Sequence, residues 1–254
     1  MAFYSQYNFT GIIPARYASA RFPGKPLVKI GGKPMIQRVY EQASKSLEIL
    51  FVATDDERIY KAVQNFGGKA LMTSSDHKSG TDRCAEAARI ISGDRGIKTD
   101  VIVNIQGDEP FIRPEQINLL LSCFNDNSVE IATLVRKVRT DEDIFNPNHP
   151  KVAVAVNGDA IYFSRAAIPY VRDSEASAWS GKHEYFKHIG LYAYRIDTLM
   201  KITALPQSPL EKAESLEQNR WLENGFRIRT AVTEWESKCI DTPQDLANVN
   251  GNVD

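Results

Sequence analysis

Apolar positions in the first half of the chain alternate between short unbroken runs and helical spacing. Gly11 to Ile13 is a brief aliphatic run, followed by a long polar loop from Pro14 to Lys33. From Pro34 onward Met35, Ile36, Val39, Tyr40 and Ala43 fall on one helical face. Ile49 to Ala53 predicts a buried strand. Asp56 then opens a helix that turns Ile59, Val63 and Phe66 inward and stops at Gly67-Gly68. Lys69 to Thr73 is a further strand, Gly80 to Ser92 a helix, and Val101 to Ile105 a strongly apolar strand. Pro114 to Phe124 is a helix with proline at its favoured first position. This rhythm predicts βαβ units and an α/β fold with a mostly parallel, doubly wound sheet.

The pattern changes near residue 130. Val152 to Val156 alternates, Asn157-Gly158-Asp159 makes a turn, and Ala160 to Ser164 returns, which predicts a β-hairpin. A strand at Ile189 to Tyr194 precedes a helix, and one long helix is expected from Ser208-Pro209 to Gly225. Phe226 to Thr233 is the last strand, and Thr242-Pro243 caps a short final helix. No repeat, low-complexity tract or flexible linker separates the halves. The expectation is a single domain over 1–254: a first half over about 1–135, an inserted α+β lobe over about 136–235, and a return over 236–254.

With 254 residues, 43% apolar and 25% charged, the chain has the make-up of a globular protein able to bury a substantial core. A formal charge of −1 argues against a general nucleic-acid or anionic-membrane binder. The apolar runs are strand-sized, far short of the ~20 residues that span a bilayer. Met1 to Asn8 is polar and aromatic, with no signal-peptide core, so a cytoplasmic location is expected. The cysteines, Cys84, Cys123 and Cys239, are widely spaced with no CxxC, which fits neither a disulfide framework nor a zinc site. His77, His149 and His183 lack metal-ligand spacing, and no nucleophile elbow occurs.

The candidate chemistry begins in the loop after the first strand, Ile13-Pro14-Ala15-Arg16-Tyr17-Ala18-Ser19-Ala20-Arg21-Phe22-Pro23-Gly24-Lys25-Pro26-Leu27. It sits at a carboxyl end of the sheet, where open α/β folds bind ligands. Three cations and a serine in one glycine- and proline-shaped loop suit a polyphosphate; a generic basic loop is otherwise only solvated surface. It is not a Walker loop, because Ser19 stands at the first glycine position and Pro26 where Ser or Thr should be. Gln106-Gly107-Asp108-Glu109-Pro110 follows a buried strand, which places Asp108 to bind magnesium beside phosphates or, as an isolated Gly-Asp, merely to make a turn. Asp241 in Asp241-Thr242-Pro243 has the same two readings, a metal ligand or a residue before a helix cap.

Together these motifs resemble the Kdo (3-deoxy-manno-octulosonate) cytidylyltransferases, or CMP-Kdo synthetases, whose opening signature is similar to this Ile-Pro-Ala-Arg-x-x-Ser-x-Arg-x-Pro-Gly-Lys-Pro-Leu run. The resemblance covers nearly the whole chain and implies a Rossmann-like nucleotidyltransferase fold whose second lobe serves sugar binding and dimerisation. It implies that Arg16, Ser19 and Lys25 hold the triphosphate of CTP, and that Asp108 and Asp241 coordinate Mg2+. Met72 to Arg83 looks like the family's nucleotide loop, which implicates Met72, Thr73, His77, Ser79, Gly80 and Arg83. Backbone carbonyls there can meet the amino group that cytosine has and uracil lacks; Arg83 otherwise reads as a surface charge on a first helical turn. Gln106, Arg165, His188, Tyr192, Glu217 and Gln218 match positions lining the sugar pocket. An arginine suits the sugar carboxylate, and the others suit its hydroxyls. Without the resemblance, His188 and Tyr192 read as half-buried strand residues and Glu217 as a solvated helix position.

The activity implied is CTP plus Kdo giving CMP-Kdo and pyrophosphate for lipopolysaccharide biosynthesis, by a homodimer with no nucleic-acid or membrane partner. Sialic-acid cytidylyltransferases are the nearest rival, but they carry a Gly-Gly-Ser-Lys-type loop where this chain has Tyr17-Ala18-Ser19-Ala20-Arg21. The 8-amino analogue of Kdo is not distinguished from Kdo. Two departures stand out: Thr10-Gly11, where aliphatic residues are more usual, is expected to soften the first strand, and Cys239 takes a small-residue slot near Asp241.

Overall fold

The first aliphatic run extends in both directions into strand β1 (Phe9–Ala15) of the computed structural model, which describes residues 6–18, 22–138, 140–236, 239–240 and 242–250. The polar loop that follows holds more structure than its sequence predicts. A 3-10 turn at Lys25–Leu27 precedes two short strands, β2 (Lys29–Ile30) and β3 (Lys33–Pro34), paired antiparallel. The chain then alternates as expected: α1 (Met35–Ala43), β4 (Ile49–Thr54), α2 (Glu57–Asn65), β5 (Ala70–Met72), α3 (Gly80–Ser92), β6 (Val101–Asn104) and α4 (Pro114–Ser122). Asp56 caps α2 through the Arg58 N–H, and Ser79 and Asp82 form a reciprocal capping box on α3.

The described chain divides into two units, the first drawn from Met1–Asn118, Ala193–Thr203 and Ser237–Asp254, the second from Leu119–Tyr192 and Ala204–Glu236. In the first unit the strand order is β6-β1-β4-β5, with all three pairings parallel. Ile12 of β1 lies between Phe51 of β4 and Asn104 of β6. The chain moves from β1 to one side and later returns to the other, so the carboxyl ends of β1 and β6 form a topological switch point. Ile12, Ile13, Val52, Val101 and Val103 are fully buried around it. The Thr10-Gly11 departure does not soften β1. A Cβ on Gly11 would lie 2.6 Å from Leu50 Cδ1, so the missing side chain is space that a leucine fills. Thr10 is buried, its Oγ1 2.9 Å from Thr99 Oγ1.

The second unit carries β7 (Ile131–Lys137), which the pattern did not predict, α5 (Asp141–Phe145), β8 (Lys151–Val154), β9 (Ala160–Ser164), α6 (Trp179–Lys182) and β10 (Phe186–Arg195). After β10, whose last residues already belong to the first unit, come α7 (Ile196–Thr203) of the first unit, then α8 (Pro209–Glu214), α9 (Glu217–Glu223) and β11 (Ile228–Val232) of the second, and last α10 (Pro243–Asn250) of the first. β11 runs parallel to β7, while β8 pairs antiparallel with both β9 and β10. The expected hairpin is present but shorter. β8 ends at Val154, where the register shifts, and Val156 is wholly exposed.

The long helix expected from Ser208 to Gly225 is two helices. Ser215 adopts a left-handed conformation, φ 51°, and ends α8. The carbonyls freed by that break are taken by Arg165, whose Nε donates to Glu214 O at 2.7 Å and whose Nη2 donates to Ser215 O at 3.4 Å. Nothing local in the sequence marks Ser215, because the partner that stabilises its break lies fifty residues away. At the other end of the chain Ile240 and the α10 residue Leu246 pack with Ile30 and Met35 of the first unit. No described helix is long and apolar enough to cross a membrane.

Candidate nucleotide and sugar site

Four segments of the first unit enclose a cavity of about 240 Å³: Pro14–Arg16 after β1, Lys25-Pro26, His77–Gly80 with Arg83, and Gln106–Asp108 after β6. The switch point makes this convergence possible, and Gly107 tightens it. A Cβ there would sit 3.0 Å from the Pro14 carbonyl oxygen, so only glycine lets the two strand ends approach so closely. The phosphate-suited loop is closed by the Gly24 N–H, which donates to Tyr17 O at 2.9 Å. Lys25 leaves that closure pointing at Asp108, with Nζ 2.6 Å from Oδ2. Both ends of this pair remain partly open to the cavity. An anion entering there meets Arg16, Lys25, Lys78 and the N-terminal end of the thirteen-residue α3. Ser19 and Asp241 lie outside the described residues.

The wall from Thr73 to Gly80 is held from behind by one face of α3. The Arg83 guanidinium donates to Thr73 Oγ1 at 2.6 Å, to Ser74 O at 3.2 Å and to Asp55 Oδ2 at 2.9 Å. Glu86, one turn further on, accepts from the Ser74 N–H at 2.9 Å and from the His77 ring Nε2. Burial raises the Glu86 pKa, but the His77 and Ser74 hydrogen bonds outweigh it and hold the carboxyl below its ordinary value. Arg83 is thus no surface charge, being only 3% exposed, and it organises the loop besides lining the cavity. Thr73 serves as its partner, while Met72 is exposed at the end of β5 and does not line the cavity.

The second unit gathers most of the other expected residues. His188 and Tyr192, four apart on β10, share a face with ring centroids 5.2 Å apart. Phe163 stands edge-on to His188 at 5.2 Å, and Trp221 edge-on to Tyr192 at 5.3 Å. Thr133 Oγ1 lies 3.1 Å from His188 Nε2. His188 keeps some open surface, yet burial pushes its pKa down to about 3, so the ring is neutral at physiological pH. Burial, then the nearby Glu217 carboxylate, push the Tyr192 phenol well above its ordinary value. Both side chains therefore present uncharged hydrogen-bonding groups.

Glu217 accepts from Arg220 Nη2 at 2.7 Å, and Arg220 in turn faces Glu211 at 3.4 Å. Gln218 is buried, and its Nε2 has no hydrogen-bond partner among the described residues. A buried amide donor left open is costly unless something arrives to accept from it. Arg165 does not join this group through any described contact. Its guanidinium donates to the carbonyls of Pro147, Glu214 and Ser215, which uses three of its five N–H groups. Gln106 belongs to the first unit's cavity. Sequence reasoning missed Asp55, Glu86, Thr133, Arg220 and Trp221. Only Glu86 carried a signal, seven residues after the Ser79 cap and so on the same helical face.

Among the described residues no group of three or more His, Cys, Asp or Glu side chains could hold a metal ion. Asp108 is the single carboxylate among the residues that line the first unit's cavity, beside Lys25. That is the donor set of a magnesium ion that takes most of its ligands from substrate and water.

A family model described as cytidylyltransferase matches residues 10–229. The 3-deoxy-manno-octulosonate cytidylyltransferase of Parabacteroides distasonis is 58% identical over 243 residues, 94% of this chain and 95% of its own. The protein of the same description from Bacteroides thetaiotaomicron is 58% identical over 242 residues, 94% of this chain and 95% of its own. Among solved structures, a CMP:2-keto-3-deoxy-manno-octonic acid synthetase complexed with CTP superimposes with a TM-score of 0.87 at 44% identity, covering 96% of this chain and 98% of that one. A cytidylyltransferase from Leptospira borgpetersenii, with a TM-score of 0.61 and 18% identity over 96% of this chain and 86% of that one, shares the fold alone.

Proposed function

Because the chain belongs to the 3-deoxy-manno-octulosonate cytidylyltransferase family, we infer that it transfers the cytidylyl group of CTP to Kdo, giving CMP-Kdo and pyrophosphate. The observation that carries this reading is the first unit's cavity, where the ends of β1 and β6, the Lys25 loop and the α3 wall converge. Arg16, Ser19 and Lys25 take the triphosphate. Lys25, its Nζ 2.6 Å from Asp108 Oδ2, binds phosphate oxygens and stabilises charge that grows on the leaving pyrophosphate. Thr73, Ser79 and Gly80 shape the base side of the cavity, with His77 and Arg83, and Met72 enters the strand end that leads into this wall.

In the second unit His188, Tyr192, Glu217 and Gln218 hold the sugar acid, and in the first unit's cavity Gln106 offers its amide to a substrate hydroxyl. Neutral His188 and Tyr192 and the open Gln218 amide suit hydroxyls, and Glu217, kept in place by Arg220, accepts from them. Arg165 offers its two remaining N–H groups to the sugar carboxylate. The anomeric hydroxyl attacks the α-phosphorus in line as pyrophosphate departs, a transfer in which positioning and charge neutralisation dominate. Magnesium would be held by Asp108 and Asp241, and when bound it lowers the repulsion between an anionic sugar and an anionic nucleotide.

The same reading places the protein in the cytoplasm as a homodimer serving lipopolysaccharide biosynthesis. Its test is pyrophosphate release from CTP with magnesium across Kdo, 8-amino-Kdo and sialic acid. Release is expected with Kdo far above sialic acid; release with sialic acid alone, or with none of the three, overturns it.

A further inference from the structure

We propose that Glu86 is a positioning residue that fixes which hydrogen-bonding groups the loop at Thr73–Gly80 presents to the nucleotide base, and so sets the preference for cytosine over uracil. The proposal rests on the CTP-binding reading above and adds a determinant that touches no substrate. Both polar groups of the Ser74 backbone are committed to α3, the N–H to Glu86 and the C=O to Arg83. The same Glu86 oxygen that accepts the Ser74 N–H also meets His77 Nε2. His77 lines the cavity and Glu86 does not, so Glu86 acts through its neighbours.

The chemistry follows from what a carboxylate can do. An ionised carboxylate only accepts, so a hydrogen sits on His77 Nε2, and of the two ring nitrogens Nδ1 is the one left to accept. Cytosine presents a 4-amino donor where uracil presents an oxygen, and at N3 cytosine accepts where uracil donates. A wall fixed with acceptors facing the amino edge favours cytosine and leaves an unpaired group against uracil. A glutamine at position 86 has the same size but can donate. It permits the other tautomer, with His77 Nε2 accepting from the amide and Nδ1 carrying the hydrogen. Because one Glu86 oxygen serves both donors, that amide nitrogen also faces the Ser74 N–H, so the bias is lost together with the Ser74 anchor.

The test is calorimetric binding of CTP and of UTP, with magnesium and no sugar, to the wild-type protein, Glu86→Gln and Glu86→Ala. Glu86→Gln should fold normally and bind CTP about tenfold more weakly, the worth of one charge-assisted hydrogen bond. Its CTP-to-UTP affinity ratio should fall by about tenfold or more, and in turnover KM for CTP should rise with kcat nearly unchanged. Glu86→Ala, which frees the loop altogether, should lose affinity for both nucleotides. The ring nitrogen resonances of His77 in the wild-type protein give a reading that needs no variant, with Nδ1 expected unprotonated. A protonated Nδ1, or a CTP-to-UTP ratio unchanged in both Glu86→Gln and Glu86→Ala, overturns the proposal. Absence of CTP binding by the wild-type protein instead overturns the functional reading beneath it.

Discussion

Replacing Arg83 with leucine tests whether the base-side wall is organised from inside the first unit. Arg83 is 3% exposed and spreads its guanidinium over Thr73, Ser74 and Asp55. Leucine fills much of the space but leaves Asp55 charged and Ser74 O without its donor. Removing one member of a buried ion pair costs ~3–5 kcal/mol. The Asp55 side chain is 19% exposed, so water partly resolvates it and the cost falls toward the lower end, about 3 kcal/mol. At ~2–4 °C per kcal/mol for a chain of this size, the melting temperature should drop by roughly 6–12 °C. Urea unfolding of Arg83→Leu, Asp55→Leu and the double variant gives the coupling. The double variant should cost less than the two singles summed, by ~1–3 kcal/mol, because it leaves no orphaned charge. A loss within the ~0.5 kcal/mol typical of surface substitutions would refute the reasoning and restore Arg83 to the surface charge its sequence position suggests.

Three other outcomes follow from the site. His188, at about 3 when folded against 6.5 for the ordinary group, stays neutral where the unfolded chain binds a proton, so its contribution to stability is complete above pH 6.5 and lost on acidification toward pH 3. Relative to wild type, His188→Gln should therefore lose stability less steeply, by up to ~1.4 kcal/mol per pH unit in that window; parallel acid profiles contradict it. Arg220→Met removes the 2.7 Å bond that orients Glu217 and should raise KM for Kdo about tenfold with CTP affinity unchanged in calorimetry, so equal loss of both substrates argues against it. Asp108→Asn should cut pyrophosphate release by roughly 10² to 10³ at an unchanged fold, the scale of losing one pre-organised charge partner, and near wild-type turnover removes Asp108 from the site.

What the sequence disclosed and what it hid divide along the range of the interaction. The α3 boundaries were legible because Ser79 and Asp82 make a local capping box. β6 was legible because its four residues are all buried. The break at Ser215 was not, because Arg165 pairs with carbonyls far along the chain, and the helix propensity of Pro209 to Glu223 outweighs any local sign of it. β7 escaped for a related reason. Its apolar run lies beyond the βαβ rhythm that identified the earlier strands, and its pairing with β11 joins residues about a hundred positions apart.

Residue type disclosed chemistry better than it disclosed allocation. Lys25, Asp108, His77 and Arg83 line one cavity. Yet an arginine in a motif says only that a forked cation is available, not what it is spent on. Arg83 gives its donors to a threonine, a carbonyl and an aspartate, and Arg165 gives most of its own to three carbonyls. In both cases the guanidinium shapes the backbone that carries the ligand-facing groups. Losing either arginine should therefore disturb substrate binding through the loop or helix break it supports, even where its own remaining N–H groups touch substrate. Glu86 extends the same logic to a residue that no motif contains. It sits on the helix face that anchors the nucleotide loop, and its effect on substrate is exerted through Ser74 and His77.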